Sequence, residues 1–248
     1  MVLRWYERIF IKVLKMGKIP RSIAIIMDGN RRFATKNQKA KHEGHTFGLA
    51  KLEQAMDWAL HLGIKELTVF ALSTDNLKRS QVEVDTLMRL AKESFARMAE
   101  NGGFMQQNGI QVKILGDLEF LPDDVAEAMR RTEDLTKQND QARLNVCLCY
   151  NSKYEILEAC DSLSDLYAKD ELKLEHGKIK VEDFEKQLYG GFNCKPEILI
   201  RTSNEIRMSN FLLYQTDESQ YQFIASLWPD FSIWDFTKII LDYQSVVQ

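Results

Sequence analysis

The chain has 248 residues, 45% of them hydrophobic and 28% charged, with only 4 Pro and neither a repeat nor a Ser/Pro-rich linker, which describes one folded domain. A formal net charge of −3 argues against a general nucleic-acid binder but leaves room for local arginine clusters that hold phosphate. No apolar run approaches the roughly 20 residues that span a bilayer, and the cysteines (Cys147, Cys149, Cys160 and Cys194) fit no zinc spacing and read as free thiols in a reducing compartment.

In chain order, residues 1–18 form an amphipathic helix. Arg4, Arg8, Lys12, Lys15 and Lys18 fall on one side, and Val2, Trp5, Tyr6, Ile9, Phe10, Val13 and Met16 on the other. Such a helix can lie in a membrane interface or dock its apolar side on the domain, and both readings stay open. Residues 19–248 read as one domain of alternating strands and helices. The strands are expected at Ser22–Met27, Glu66–Leu72, Gln111–Leu115, Leu144–Cys149, Glu197–Ile200 and Gln222–Leu227. Helices are expected at His45–His61, Val82–Ala99, Pro122–Lys137, Tyr154–Ala168 and Ile233–Tyr243. The alternation predicts a central, mostly parallel six-stranded sheet flanked by helices.

Polar clusters follow five of the strands: Asp28-Gly29-Asn30, Ser73-Thr74-Asp75-Asn76, Gly116-Asp117, Asn151 and Arg201-Thr202-Ser203. In a parallel sheet the carboxyl ends share one edge, so all five are expected to converge there. Turn chemistry alone would account for any single cluster. The first is the richest, because Asp28 can hold Mg²⁺ while Arg31 and Arg32, just before Phe33, present planar forks to phosphate. The fifth leads to Arg207 and Ser209, and its interleaved hydroxyls and guanidiniums suit a diphosphate. Arg79 follows the second, and Lys41 and His45 lie near the start of a helix within reach of the first. No Gly-x-x-x-x-Gly-Lys-Ser/Thr or Gly-x-Gly-x-x-Gly element is present, which disfavours a P-loop or a dinucleotide site. The residues alone imply an α/β enzyme that handles diphosphates with a divalent metal.

Met27-Asp28-Gly29-Asn30-Arg31-Arg32-Phe33-Ala34 with Glu43-Gly44-His45 resembles the first signature of the cis-prenyltransferase family. Val69–Asn76 with Arg79 and Glu83 resembles the second, and Arg201–Gln215 with Leu227-Trp228-Pro229-Asp230-Phe231 the last. The Arg31-Arg32 pair is most similar to the eukaryotic, dehydrodolichyl diphosphate synthase branch of that family. The resemblance implies an apolar tunnel between the sheet and the helices that start near His45 and Val82. It implies Asp28 organising Mg²⁺ on a farnesyl diphosphate primer held by Gly29, Asn30, Arg31, Arg32, Phe33, Lys41, His45, Thr74, Asp75 and Arg79. Isopentenyl diphosphate would lie on Arg201, Arg207 and Ser209, with Asn76 and Ser73 assisting proton removal.

Asn204 stands where the family commonly has Gly, and Ile206 and Gln220 where bacterial relatives carry a metal-associated His and Glu. The tail Tyr243–Gln248 lacks the Arg-x-Gly that completes the family's site across a dimer. These features lead to the expectation of a Nogo-B-receptor-like accessory subunit supplying that motif, at the cytosolic face of the endoplasmic reticulum. A homodimeric medium-chain synthase and a non-catalytic accessory scaffold are the alternatives.

Overall fold

The computed structural model describes residues 3–190 and 195–247, so Val2, Cys194 and Gln248 lie outside the described residues. Six strands form one sheet: β1 Ser22–Ile26, β2 Glu66–Phe70, β3 Ile110–Leu115, β4 Ala142–Cys147, β5 Ile198–Arg201 and β6 Gln220–Phe223. Their order is β3-β4-β2-β1-β5-β6, and every ladder is parallel. The expectation of a mostly parallel sheet thus resolves as a wholly parallel one.

The helices are α1 Trp5–Leu14, α2 Asn30–Lys36, α3 Lys41–Leu62, α4 Gln81–Ala99, α5 Phe104–Gln107, α6 Asp123–Thr136, α7 Ser152–Ala168, α8 Val181–Gln187 and α9 Ile233–Val246. The neighbouring interior strands β1 and β5 are buried throughout, as strands covered on both faces must be. Side-chain alternation divides them between two cores. Ile23, Ile25, Ile198 and Ile200 face the larger one, with Leu52, Trp58, Met98 and Phe236. Ala24, Ile26 and Leu199 face a smaller one closed by Tyr150, Phe211 and Leu212.

Three features depart from the sequence reading. The stretch after Asp28 is a helix, α2, and not a plain turn; Gly29, at φ 104°, makes the left-handed step from strand to helix. The sixth strand lies at 220–223, two residues earlier than expected, because its register pairs Gln220 with Ile198 and Phe223 with Arg201. Residues 224–227 then run past the sheet beside Ser203 and Asn204, whose N–H groups donate to the Ser226 and Ile224 carbonyls.

The third departure concerns α1, which docks through a face the helical wheel did not mark. Leu3, Glu7, Ile11 and Leu14 are buried, and Glu7 accepts a 3.1 Å hydrogen bond from Trp58 Nε1 of α3. Phe10 packs on Trp234 of α9 with ring centroids 4.4 Å apart. Trp5, Ile9, Val13 and Met16 remain exposed on the opposite side. Both earlier readings of this helix therefore have a surface to act through.

The contact that seats the site is α2 on α3. A Cβ on Gly44 would fall well inside contact distance of the Asn30 carbonyl oxygen, and one on Gly48 against the Asn30 side chain. Trp228 Nε1 also donates to the Gly48 carbonyl at 2.8 Å. Gly44→Ala should therefore push α2 off α3 and lower the unfolding free energy in urea by about 1–3 kcal/mol. An unchanged urea midpoint would contradict this packing.

Candidate active site

The carboxyl ends of β1, β2 and β5 open on a cleft of about 540 Å³. Asp28, Gly29, Asn30, Arg31 and Arg32 line it from the first strand's end, Ser73, Asp75, Asn76 and Arg79 from the second's, and Arg201, Arg207 and Ser209 from the fifth's. His45 reaches it from α3. Three of the five expected clusters thus converge. Gly116-Asp117 and Asn151 do not, because β3 and β4 lie on the far side of β2; Asp117 and Asn151 border a separate pocket of about 130 Å³ with Tyr154 and Tyr189.

Asp28 is held on several sides. Its Oδ2 accepts from Arg201 Nη2 at 2.9 Å, its Oδ1 accepts from the Gly29 N–H at 2.7 Å, and Arg32 Nη2 lies 3.5 Å from Oδ1. Partial burial works against the negative charge, but the hydrogen bond and charge of Arg201, then Arg32 and the Gly29 N–H, outweigh it and lower the carboxyl pKa. Arg201 also donates from Nη1 to Ser209 Oγ at 2.9 Å and to the Arg207 carbonyl oxygen. One guanidinium therefore joins the loop after β1 to the loop after β5.

A second ionic group surrounds Glu83. Arg79 Nη1 is 2.9 Å from its Oε1, Arg31 Nε 3.8 Å and His45 Nε2 3.9 Å. Glu205 similarly receives Arg32 at 3.4 Å and pairs with Arg207. The cleft's arginines are thus paired with carboxylates, and their partly exposed pairs are individually weak. A diphosphate offers more oxygens per ligand and can displace them.

Ser73 and Asn76 cap each other's backbone across the turn at 74–78, with both bonds at 3.2 Å, so their side chains are fixed together at the cleft wall. Phe33, Lys41 and Thr74 do not line the cleft. Phe33 packs on Phe47 with ring centroids 5.4 Å apart, Lys41 is an exposed first residue of α3, and the Thr74 hydroxyl accepts from Asn151 Nδ2 at 3.2 Å. Three contributors were not singled out as site residues beforehand: Glu83, Glu205 and Trp228. Glu83 stands four residues after Arg79, the spacing at which helical ion pairs meet, so the sequence did carry a signal for it.

From this cleft an apolar cavity of about 80 Å³ runs between α3 and α4, past Leu49, Leu52, Leu87, Leu90 and Phe95 to Leu148. The two spaces share Met27, Asn30, His45, Ala71 and Leu87. The sheet edge therefore offers an anionic-ligand site at the mouth of an apolar slot, the layout a ligand with a diphosphate head and a hydrocarbon tail requires.

Residues 26–248 match the family model described as putative undecaprenyl diphosphate synthase. The chain belongs to this family of cis-prenyltransferases. It is 41% identical over 239 residues to a dehydrodolichyl diphosphate synthase complex subunit of Homo sapiens, covering 96% of this chain and 71% of that protein. It is also 41% identical over 239 residues to the tritrans,polycis-undecaprenyl-diphosphate synthase (geranylgeranyl-diphosphate specific) of Pyrococcus furiosus, covering 96% and 89% of the two chains. Among solved structures, lavandulyl diphosphate synthase from Lavandula x intermedia in complex with dimethylallyl diphosphate superposes with a TM-score of 0.83 at 30% identity, over 91% of this chain and 95% of that one. The enzyme is accordingly a prenyltransferase with the cis-prenyltransferase fold.

His45 gives the cleft a measurable pH signature. Burial, then the positive charge of Arg79, push its imidazole down to about 4, with Glu83 opposing and Arg31 and His42 adding to the fall. Its unfolded value is near 6.5, so between these limits the unfolded chain binds more protons than the folded one. Stability is therefore full above pH 6.5 and falls as pH drops toward 4. His45→Gln should flatten that slope in urea unfolding across the window; equal slopes in both proteins would contradict a buried neutral imidazole.

Proposed function

We propose that this chain condenses isopentenyl diphosphate onto a farnesyl diphosphate primer. The product would be a long cis-polyprenyl diphosphate of the dehydrodolichyl type, made by the catalytic subunit of a heteromer. The observation that carries the reading is the meeting of two arginine-bearing segments, 28–32 and 201–209, at the mouth of an apolar cavity. Two diphosphates need two cationic cradles, and a growing hydrocarbon needs a dry slot.

In this reading the primer diphosphate lies over Gly29, Asn30, Arg31 and Arg32, with Arg79 and His45 on its flank. Neutral His45 can donate one N–H without adding charge, and its buried Nε2 has no hydrogen-bond partner among the described residues. Isopentenyl diphosphate lies on Arg207 and Ser209, with Arg201 behind them. Condensation forms a bond from isopentenyl C4 to primer C1 as the C1–O bond breaks, and a proton leaves isopentenyl C2. Ser73 and Asn76, locked as a pair, stand at the wall where that proton can be accepted. Fixing the two reactants in register supplies most of the rate gain.

The donor set fits Mg²⁺ held through Asp28 and substrate oxygens, because this ion is commonly bound by one or two carboxylates plus phosphates and water. Among the described residues no group of three or more His, Cys, Asp or Glu converges on a metal position. Once bound, the ion would shield the charge of the departing diphosphate.

The finer statements rest on relatives. The human relative is named as a complex subunit, which supports a heteromer; the partner we propose is an accessory subunit that supplies Arg-x-Gly. The archaeal relative's name favours a second reading, a geranylgeranyl diphosphate primer. Incorporation of labelled isopentenyl diphosphate, with either primer, Mg²⁺ and products sized by chromatography, decides among these. Asp28→Ala should cost on the order of 10²–10³ in kcat. Activity that appears only with the accessory subunit supports the heteromer, and activity of the chain alone supports a homodimer. Silence under every condition contradicts the catalytic reading.

The exposed Trp5, Ile9, Val13 and Met16, beside the basic Arg8, Lys12 and Lys15, support peripheral contact with a membrane, which we place at the cytosolic face of the endoplasmic reticulum. Among the described residues no helix is long and apolar enough to cross a membrane. The chain should float with vesicles containing anionic phospholipid, and the Trp5→Ser, Ile9→Ser double variant should not. Equal flotation of the two proteins would exclude this face.

A further inference from the structure

We infer that Thr202, in the loop of the second diphosphate site, is a positioning residue for the first. This rests on reading Asp28–Arg32 as the primer diphosphate site. Sequence spacing suggests that the Thr202 hydroxyl faces phosphate, but the fold turns it inward. Thr202 is fully buried. Its Oγ1 accepts from the Asp28 N–H at 2.9 Å and donates to the Asp28 carbonyl oxygen at 2.7 Å, with a longer 3.4 Å approach to the Ile26 carbonyl.

Both faces of one peptide residue are thus held by one hydroxyl. A hydroxyl has one proton to donate, so this one has none left for a ligand. The clamp acts where the sheet ladder has ended. Asp28 lies two residues beyond Ile26, the last residue of β1, whose register partner is Arg201. Its N–H otherwise reaches only the Ile26 carbonyl, at 3.0 Å in a tight turn, and its carbonyl is shared with the Trp228 N–H at 2.9 Å.

From this fixed residue the rest of the cradle follows. Asp28 Oδ1 takes the Gly29 N–H, Gly29 makes the left-handed step, and α2 then presents Arg31 and Arg32. Arg32 itself returns to the Ser203 carbonyl at 3.1 Å, next to Thr202. Losing the clamp would leave the Asp28 N–H only its tight-turn bond to Ile26 and its carbonyl only the Trp228 N–H, so the residue would be held less firmly. The anion cradle would move with it. Isopentenyl diphosphate, held farther along the loop by Arg207 and Ser209, would be little affected.

Thr202→Val keeps the shape and removes both bonds. Titration calorimetry should show farnesyl diphosphate binding weakened about tenfold, the effect of about 1.4 kcal/mol, with stoichiometry unchanged. Isopentenyl diphosphate binding should stay within about threefold, and Thr202→Ser should restore primer binding to within about threefold. Partial unfolding would lower the stoichiometry and not the dissociation constant, so the two effects separate. If the Val variant shows no cooperative melt, Thr202→Ala gives the same reading. Unchanged primer affinity, or equal weakening of both ligands, overturns the role. Arg32→Ala serves as the control: if it also leaves primer affinity intact, it is the reading of the primer site that fails.

Discussion

Asp28 and Arg201 sit at the ends of neighbouring parallel strands, and their 2.9 Å ion pair is where the two halves of the cleft meet. Because Ile26 is in register with Arg201, the chain leaving β1 must run beside the chain leaving β5. A carboxylate two residues past the first strand then faces a guanidinium that is almost wholly buried. An unpaired charge there would be costly, so each group holds the other in place. The same guanidinium reaches Ser209 and the Arg207 carbonyl, which links the pair to the loop proposed for the second diphosphate. The start of α2 and the Trp228 segment are referenced to this junction.

That second loop is held from behind as well. Ser209, Asn210 and Leu212 all have positive φ without being glycine, a conformation that persists only when its surroundings impose it. The surroundings are visible. Phe211 stacks on Phe70 at 4.7 Å, Ser152 Oγ accepts the Leu213 N–H at 3.1 Å, and Gln215 Nε2 donates to buried Glu155 at 3.0 Å. Tyr150 Oη and the Tyr189 N–H also donate to that carboxylate, which is satisfied by donors alone. Burial raises its pKa, while those hydrogen bonds oppose the rise. The apolar slot is the softer half. Its free space of about 80 Å³ is a small fraction of the cleft's 540 Å³.

How much of this was legible depended on whether a signal was local. Five of the strands showed as short apolar runs, and α3, α4, α6, α7 and α9 as longer periodic ones, while β6 was placed two residues late because its Gln-Tyr-Gln-Phe carries no apolar run. The helix α2 was not legible, because seven residues with consecutive arginines carry no apolar period and owe their form to Gly44 and Gly48 of α3. The direction of Thr202 was equally hidden, since only the register of β1 with β5 decides which loop its hydroxyl meets. Strand order removed two of the five expected clusters from the site, and order is a property of the whole sheet. On α1 the buried face included Glu7, a charged residue that a hydropathy wheel places outside and that Trp58 satisfies inside.

The most direct test is a crystal structure of the chain with a non-reactive thio analogue of farnesyl diphosphate, isopentenyl diphosphate and Mg²⁺. The account predicts one diphosphate over Gly29–Arg32 and the other on Arg207 and Ser209. The farnesyl tail should lie between α3 and α4. Density for both diphosphates on a single loop, or a tail lying outside the α3–α4 slot, would contradict it.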